Sequence, residues 1–241
     1  MESNETVVYR NDLNLVPLKK FRSVEMDIFF AVCSKMKDKG NQDIRLSFDN
    51  LKKISGQSDK SYRRFIQDTD LMYQKLLTLT YRTKEKGLTE YFVLFTKFSI
   101  DENKQEVSIR VNPDLEYILN DLQIEFTKYE LKEFTTLSSR YTKTLYRLLK
   151  QYRDTGFYVV NMDSFRQILD IPDSYRMTDI DRQVLNPAME ELNNIFKNIR
   201  VEKIKKGRSV VRLRFLFDKQ DKIIQEDLPK VPMYNWLKGS N

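Results

Sequence analysis

Side chains that could read DNA bases are spaced along one predicted helix in the C-terminal part of the chain. The stretch YRMTDIDRQVLNPAMEEL, residues 175–192, has an apolar face and a polar face. Its candidate base readers are Arg176, Asp179, Arg182, Gln183 and Asn186. Arginine can bond bidentately to guanine, and glutamine or asparagine to adenine, in the major groove. An ordinary amphipathic helix with a solvated polar face explains the spacing equally well. We also expect Pro187 to kink or restart the helix, with Asn186 as the cap.

A strongly basic hairpin is predicted directly after this helix. In VEKIKKGRSVVRLRF, residues 201–215, apolar and cationic side chains alternate on both sides of Gly207, which is typical of a β-hairpin with a short glycine turn. The hairpin cations expected to contact DNA phosphate are Lys203, Lys205, Lys206, Arg208 and Arg212. Because phosphate contacts position a protein for base reading, the hairpin favours the DNA interpretation of the helix.

A third set of cations lies on the predicted helix SSRYTKTLYRLLKQYR, residues 138–153. Its apolar residues, among them Leu145 and Leu149, fall on one stripe and are predicted to be core. The opposite stripe has no acidic residue and consists of Arg140, Lys143, Arg147 and Lys150. Phosphate contact and a plain solvated face explain this stripe equally well, and we take phosphate contact as the expectation to test.

The net charge supports a nucleic-acid partner because it is localised. The chain has 42 Lys and Arg against 35 Asp and Glu, a net charge of +7. Residues 126–217 contain 18 Lys and Arg against 11 Asp and Glu, so they account for the whole excess. A basic excess confined to one segment is typical of a nucleic-acid-binding domain.

The absence of histidine excludes several common classes of catalytic site. With no histidine and one cysteine, Cys33, the chain cannot form a Ser-His-Asp triad, a histidine-metal nicking site or a cysteine zinc site. Its six glycines form neither GxxxxGK[ST] nor GxGxxG. A carboxylate-metal nuclease is compatible with the composition, but no acid pair stands on a convincing strand near a lysine. We therefore predict no enzymatic activity, no metal and no cofactor.

No segment of the sequence suggests a membrane or an export signal. There is no recognisable signal peptide and no long uncharged apolar run. We therefore predict a cytoplasmic protein with no membrane partner.

The chain contains two versions of one supersecondary unit. Placing Gly87 on Gly207 aligns the apolar positions around both, and RLSFDNLKKIS (45–55) aligns with VVNMDSFRQIL (159–169). Each unit reads as helix, strand, helix, turn, helix and hairpin. This order predicts an α+β, helix-rich fold of two tandem winged-helix domains, each a helix-turn-helix with a β-hairpin wing. The predicted divisions are residues 1–122, residues 126–217 and a C-terminal tail, 218–241. We assign no function to the tail or to its Trp236.

Capping residues and strand patterns predict the boundaries within the first unit. Ser23, Ser47 and Ser61 are predicted to cap its three helices. Strands 79–84 and 91–99 are predicted to form its hairpin.

The first unit is less suited to reading DNA than the second. Its candidate auxiliary DNA contacts are Lys60, Arg63, Arg64, Lys84 and Lys86, and acidic residues are interspersed among them. We therefore expect this unit to form a homodimer. The N-terminal segment VVYRNDLN, residues 7–14, is predicted to be a strand that pairs with its own domain or with a partner's.

Three segments together resemble the iteron-binding plasmid replication initiators, the Rep proteins with two winged-helix domains: SRYTKTLYRLLKQYR, DSYRMTD and VEKIKKGRSVVRLRF. The resemblance implies a C-terminal domain that binds repeated origin sequences, or iterons, and an N-terminal domain that dimerises. It also implies a role in plasmid copy control, with a host initiator ATPase and the replicative helicase machinery as partners. The family commonly has several consecutive arginines in its recognition helix, and here only Arg182 matches clearly.

Two functions follow from this combination. The first is a non-enzymatic initiator of plasmid replication that binds double-stranded DNA, opens the origin by binding energy and recruits host factors. The alternative is a winged-helix transcriptional repressor that binds an inverted-repeat operator as an autoregulatory dimer. Tandem direct repeats beside or within the coding region would favour the initiator.

Overall fold

Two copies of one helix-and-hairpin unit make up most of the fold. The computed structural model describes residues 5–37, 39, 42–78, 80–85, 87–119 and 126–221. The elements of the first half are β1 (Thr6–Arg10), α1 (Ser23–Met36), β2 (Ile44–Ser47), α2 (Phe48–Ile54), α3 (Tyr62–Leu76), β3 (Thr80–Glu85), β4 (Leu88–Val93), β5 (Phe95–Asp101) and β6 (Glu106–Val111). Those of the second half are β7 (Phe126–Glu130), α4 (Leu131–Thr135), α5 (Arg140–Gln151), β8 (Phe157–Asn161), α6 (Met162–Leu169), α7 (Met177–Ile180), α8 (Asn186–Leu192), β9 (Arg200–Lys206) and β10 (Ser209–Leu216). The series helix, strand, helix, helix and hairpin thus occurs twice, which confirms the predicted α+β fold with two winged helices.

Side-chain caps explain where the helices of the first half begin. Ser47 and Ser61 accept hydrogen bonds from backbone N–H groups in the first turns of α2 and α3, as predicted. The prediction that Ser23 caps α1 is wrong, because Ser23 lies inside that helix. The carboxylate of Glu25 instead accepts a 2.7 Å hydrogen bond from the backbone N–H of Arg22, so the cap comes from the helix's own first turn.

The first hairpin differs from the prediction in its second strand. The predicted strand 91–99 is two strands, β4 and β5, which are separated at the buried Leu94. β3 pairs with β4, whereas β5 pairs with β6, and β6 also pairs with β2. The carbonyl oxygen of Leu94 accepts a 2.9 Å hydrogen bond from the N–H of Asn112. This bond holds the chain where it passes from one sheet to the other.

The N-terminal strand connects the two halves. β1 pairs antiparallel with β7, with Thr6 opposite Glu130. The predicted strand over residues 7–14 forms only as far as Arg10, because Asn11–Leu15 is a 3-10 helix. Its partner is in the second half of the same chain, so the prediction of pairing within its own unit or with a partner's is wrong. The buried apolar side chains of both halves make one connected core. The division near 122–127 stays a prediction, because residues 120–125 lie outside the described part of the chain.

Helix α7 continues into α8 without a break. The joining turn, Asp181–Leu185, has π-helical geometry, and the N–H of Asn186 donates to the carbonyl oxygen of Asp181, five residues earlier. The prediction that Asn186 caps a restarted helix is wrong, because its backbone is helical (φ −62°, ψ −50°). The wider π turn accommodates Pro187, whose ring would meet a preceding carbonyl in a regular α-helix.

Candidate nucleic-acid interface

The α7–α8 helix buries its apolar residues and leaves its candidate base readers outside. The buried residues are Ile180, Val184, Leu185, Ala188 and Leu192. On the opposite side the Arg182 side chain is 73% exposed, and Gln183 and Asn186 are exposed as well. Arg176, which immediately precedes the helix, is also exposed. The structure therefore contains the polar face that the spacing predicted.

Asp179 differs from the other candidate readers because its carboxylate already has partners. It accepts a 3.0 Å hydrogen bond from the backbone N–H of Arg176, which caps the start of α7. Its other oxygen accepts a 3.2 Å bond from Arg182 Nη2. Asp179 therefore orients Arg182, and the outer face of the helix presents Arg182 as its cation.

An ion pair links the β9–β10 hairpin to the α7–α8 helix. Lys203 Nζ on β9 lies 2.6 Å from the carboxylate of Asp181 in the π turn, one residue before Arg182. The hairpin reverses at Gly207, whose φ of +61° is readily adopted only without a side chain. The other predicted phosphate contacts of the wing, all exposed, are Lys205, Lys206, Arg208 and Arg212. Within the part of the chain that the structure describes, these four have no ion-pair partner.

A groove of about 580 Å³ separates the wing from the helix-turn-helix. Arg166 of α6 lines it, and the Arg166 guanidinium donates to the carbonyl oxygens of Pro172 and Tyr175 in the turn before α7. The charged side chains lining the groove are Asp163, Arg166, Lys203, Lys205 and Arg208. Four cations against one acid make the groove electropositive, which suits a polyanion.

The structure contradicts the prediction that the basic stripe of α5 contacts phosphate. Lys143 is 0% exposed, Arg147 1% and Lys150 9%. A cation without access to solvent cannot reach a DNA backbone, so Lys143, Arg147 and Lys150 are removed from the candidate interface. Arg140, whose side chain is 25% exposed, pairs with Asp170 at 2.9 Å instead.

Acceptors from other segments of the chain hold these buried cations. Lys143 forms an ion pair with Asp27 of α1, and Lys150 lies 2.8 Å from Glu133 of α4. Arg147 Nε donates to the hydroxyl oxygen of Tyr9 at 2.8 Å, and its Nη2 donates to the Leu13 carbonyl oxygen at 2.9 Å. Lys143 and Arg147 therefore join α5 to the first half of the chain, whereas Arg140 and Lys150 pair within the second half.

Burial changes the titration of the Asp27–Lys143 pair. Loss of water around Asp27 raises the pKa of its carboxyl to about 7, although Lys143 opposes the shift. Burial also lowers the pKa of Lys143, again against the effect of its partner. Both shifts are in the direction that desolvation of a charged group produces.

Some basic side chains of the first winged helix form ion pairs with acidic residues of the same unit. Arg64 of α3 lies 3.2 Å from Asp68, which also pairs with Arg22 at 2.8 Å. Lys60 and Arg63 are exposed at the start of α3. The side chain of Lys84 and the whole of Lys86 lie outside the described residues. Of the five auxiliary candidates, the structure thus places two on the surface and one in an ion-pair network.

The described residues contain neither a candidate metal site nor a candidate membrane span. No group of three or more Asp, Glu or Cys side chains there could hold a metal ion. No helix in the same part of the chain is long and apolar enough to cross a bilayer.

Two family models match the chain and together cover most of it. The model described as "Initiator Replication protein, WH1" matches residues 6–150. The model described as "Initiator Rep protein, WH2" matches residues 161–217. The first model includes α5, which agrees with the burial of that helix against α1.

A curated protein and a solved structure resemble this chain, and a second solved structure aligns less well. A probable replication protein rep of Bifidobacterium longum (strain NCC 2705) is 34% identical over 192 residues, covering 78% of this chain and 65% of that protein. The chain thus spans just under two thirds of that relative's length. The solved structure of the Pi initiator protein in complex with iteron DNA aligns with a TM-score of 0.70 at 15% identity, over 92% of this chain and 100% of that one, and therefore shows a shared fold. Domains 2 and 3 of RctB align with a TM-score of 0.43 at 10% identity, over 82% and 83% of the two chains.

Proposed function

This chain belongs to the family of initiator replication proteins with two winged-helix domains, and we propose that it initiates plasmid replication by binding repeated origin sequences, or iterons, in double-stranded DNA. The observation that carries the proposal is the ion pair between Lys203 and Asp181. It joins a helix that exposes Arg182 to a wing whose exposed cations Lys205, Lys206 and Arg208 have no ion-pair partner among the described residues, so that one surface can contact bases and phosphates together.

Base reading is proposed for the exposed face of the α7–α8 helix. Arg182 suits a guanine, while Gln183 and Asn186 suit adenine. The Asp179 carboxylate limits the conformations of Arg182, so less side-chain entropy is lost when DNA binds. The wing is proposed to contact the backbone through Lys205, Lys206 and Arg208, which would supply affinity without sequence preference.

Opening of the origin is proposed to come from binding energy. Several protomers on adjacent repeats would bend the duplex, at a cost of about 1–6 kcal/mol for a site of 20–30 base pairs, and strain a neighbouring A+T-rich segment. The protein would act without catalysis or a cofactor, as a homodimer through its first half in one state. The proposed partners are a host initiator ATPase and the replicative helicase machinery. A winged-helix repressor would use the same surface and remains the alternative.

The test is binding to repeats from DNA next to the coding region. We expect the full chain to bind a duplex with two direct repeats at least about 10³-fold more tightly than a shuffled duplex at one fixed salt concentration. Equal affinity for both duplexes would contradict the proposal. Preference for an inverted repeat over direct repeats would favour the repressor.

A second measurement concerns catalysis. On a supercoiled origin plasmid, with Mg²⁺ and ATP present or absent, we expect shifted and distorted DNA without nicks. Open circles carrying covalently attached protein would contradict initiation by binding alone, because they would reveal a catalytic tyrosine.

A further inference from the structure

We propose that Lys143 and Arg147 are positioning residues that hold the first winged helix at a fixed place relative to the α7–α8 helix. This arrangement would set the spacing between the DNA segments that the two halves contact. The inference rests on the proposed DNA-binding function and adds to it a determinant of specificity that lies outside the DNA interface.

Three segments of the first half converge on these two cations. Lys143 pairs with Asp27 of α1 in a fully buried position. The guanidinium of Arg147 donates to the Tyr9 hydroxyl oxygen and the Leu13 carbonyl oxygen, at 2.8 and 2.9 Å. Its Cζ also lies 4.5 Å from the centre of the Phe30 ring. The two side chains therefore fix β1, the turn after it and α1 onto α5.

The buried Asn14 extends the same network. Its Oδ1 accepts a 2.8 Å hydrogen bond from the Tyr9 hydroxyl. Its Nδ2 donates to Thr127 Oγ1 at 2.8 Å and to Gln151 Oε1 at 2.9 Å. Both ends of the amide are thus bonded, and the network reaches β7 and the last turn of α5.

The polarity of this junction is the informative feature. Apolar residues of similar size at such sites often give equal or greater stability, because burying charges costs several kcal/mol per ion in general. Apolar contacts are non-directional, however, and they tolerate sliding. Hydrogen bonds require a narrow range of distance and angle, and buried polar groups are best attested as devices that fix register.

Helix α5 transmits this register to the DNA surface. It packs against α1 on one side and against α6 and α8 on the other. Asp170 makes a second connection between the halves. Its carboxylate accepts a 3.0 Å hydrogen bond from the backbone N–H of Lys20 and forms an ion pair with Arg140. Asp170 ends α6 and so lies in the turn that leads to α7. A change at the junction would therefore alter the distance from α3 to Arg182.

The experiment measures spacing preference with the full chain. One to five base pairs are inserted at the centre of the duplex segment that the bound protein protects from nuclease, and the affinity of the protein is measured for each insertion. The double variant Asp27→Leu/Lys143→Met removes both charges and keeps approximate volume, so its unfolding midpoint should stay close to that of the wild type. We expect the ratio of the affinity at the best spacing to the affinity at the worst spacing to fall by about threefold in this variant, in proportion to the small contribution of the first half to DNA binding.

The control is Arg182→Ala, which should lower affinity at every spacing and leave the shape of the profile unchanged. A double variant whose profile matches the wild type would overturn the inference and leave the junction a purely structural feature. A wild type that binds no repeat duplex would overturn the proposed function instead.

A second measurement does not depend on DNA or on the stability of the double variant. Probes attached at positions 60 and 205 report the distance between the two halves. Arg147→Lys keeps the charge but loses the two-directional bonding of the guanidinium, so we expect a broader distance distribution than in the wild type. An unchanged distribution in Arg147→Lys would contradict the inference.

Discussion

The basic stripe of α5 and the basic wing contain the same residue types but have opposite surroundings. Lys143 and Arg147 are enclosed and bonded to acceptors from α1, β1 and the turn after β1. Lys205 and Arg208 are exposed and, within the described chain, have no ion-pair partner. Whether a basic face is free to bind DNA therefore depends on the acceptors that the fold places next to it, rather than on the number of its cations.

Arg64 of α3 is an intermediate case. It is about half exposed, yet it pairs with Asp68, which also holds Arg22. Arg182 of the second winged helix also has an acidic partner, Asp179, but its side chain is 73% exposed against 53% for Arg64. The proposed division between self-association and base reading is in line with this difference in exposure.

The largest effect should come from removing a cation of the stripe. Lys143→Ala leaves the Asp27 carboxylate buried without its partner, so we expect the free energy of unfolding to fall by about 3–5 kcal/mol. Urea unfolding above pH 7 measures it. The matched control is Arg212→Ala in the wing, which should change stability by less than about 0.5 kcal/mol. If Lys143→Ala is as stable as the control, the two basic regions do not differ as described.

For DNA binding we expect the wing, rather than the α5 stripe, to give the larger effect. Replacing Lys205, Lys206 and Arg208 together by alanine removes three phosphate contacts, which should weaken binding to all sequences nearly equally. The slope of log affinity against log salt should flatten by about 0.9 per lost contact. A salt titration of the triple variant checks this, with Lys197→Ala, an exposed lysine three residues before β9, as the control. An unchanged slope would make the wing a solvated surface only.

The third effect separates the helix from the wing. Arg182→Ala should cost about 1–3 kcal/mol on the specific duplex and relax the preference at one or two base pairs. Its salt slope should change little, because no phosphate contact is lost. Competition with single-base variants of the repeat measures both quantities. Wild-type affinity together with wild-type preference would show that another residue reads the base.

A pH titration should report on the stripe and not on the wing. The pKa of Asp27 in the folded protein, about 7, lies above the value of about 4 in an unfolded chain. The stability contributed by the protonated carboxyl is therefore fully present below about pH 4 and is lost as pH rises to about 7. We expect wild-type stability to fall relative to Asp27→Asn by at least about 1 kcal/mol over this range. Parallel pH profiles for the two proteins would contradict the shift.

The smallest effect is expected at the start of α3. Lys60→Ala/Arg63→Ala in the full chain should lower affinity by less than about 1 kcal/mol, equally for specific and shuffled duplexes, because these residues are proposed only as auxiliary contacts. Loss of sequence preference in this variant would place base reading in both winged helices.

The elements that local patterns specify were predictable, and the contacts between distant segments were not. Ser47 and Ser61 cap their helices because a cap depends on residues three positions apart. The exposed face of Arg182, Gln183 and Asn186 follows from helical periodicity alone. The partners of Lys143 and Arg147 come from positions far earlier in the chain, and no periodicity within α5 shows which side of the helix will meet them.

One signal in the sequence pointed to the buried pair. Asp27 stands alone in the apolar run MDIFFAVC, and an isolated acid on an apolar helix requires a buried partner. The π turn before Pro187 left no comparable signal, because a proline inside a helical pattern predicts a kink or a restart as readily as a widened turn.

The pairing of β1 with β7 determines the order in which the chain can fold. Thr6 lies opposite Glu130, so β1 has no partner until synthesis has passed residue 130. Until then its N–H and C=O groups form an open edge able to pair with another nascent chain. A fragment that ends before Phe126 would keep this edge permanently. We therefore expect such fragments to aggregate, and the 241-residue chain to lose both halves in one cooperative unfolding transition.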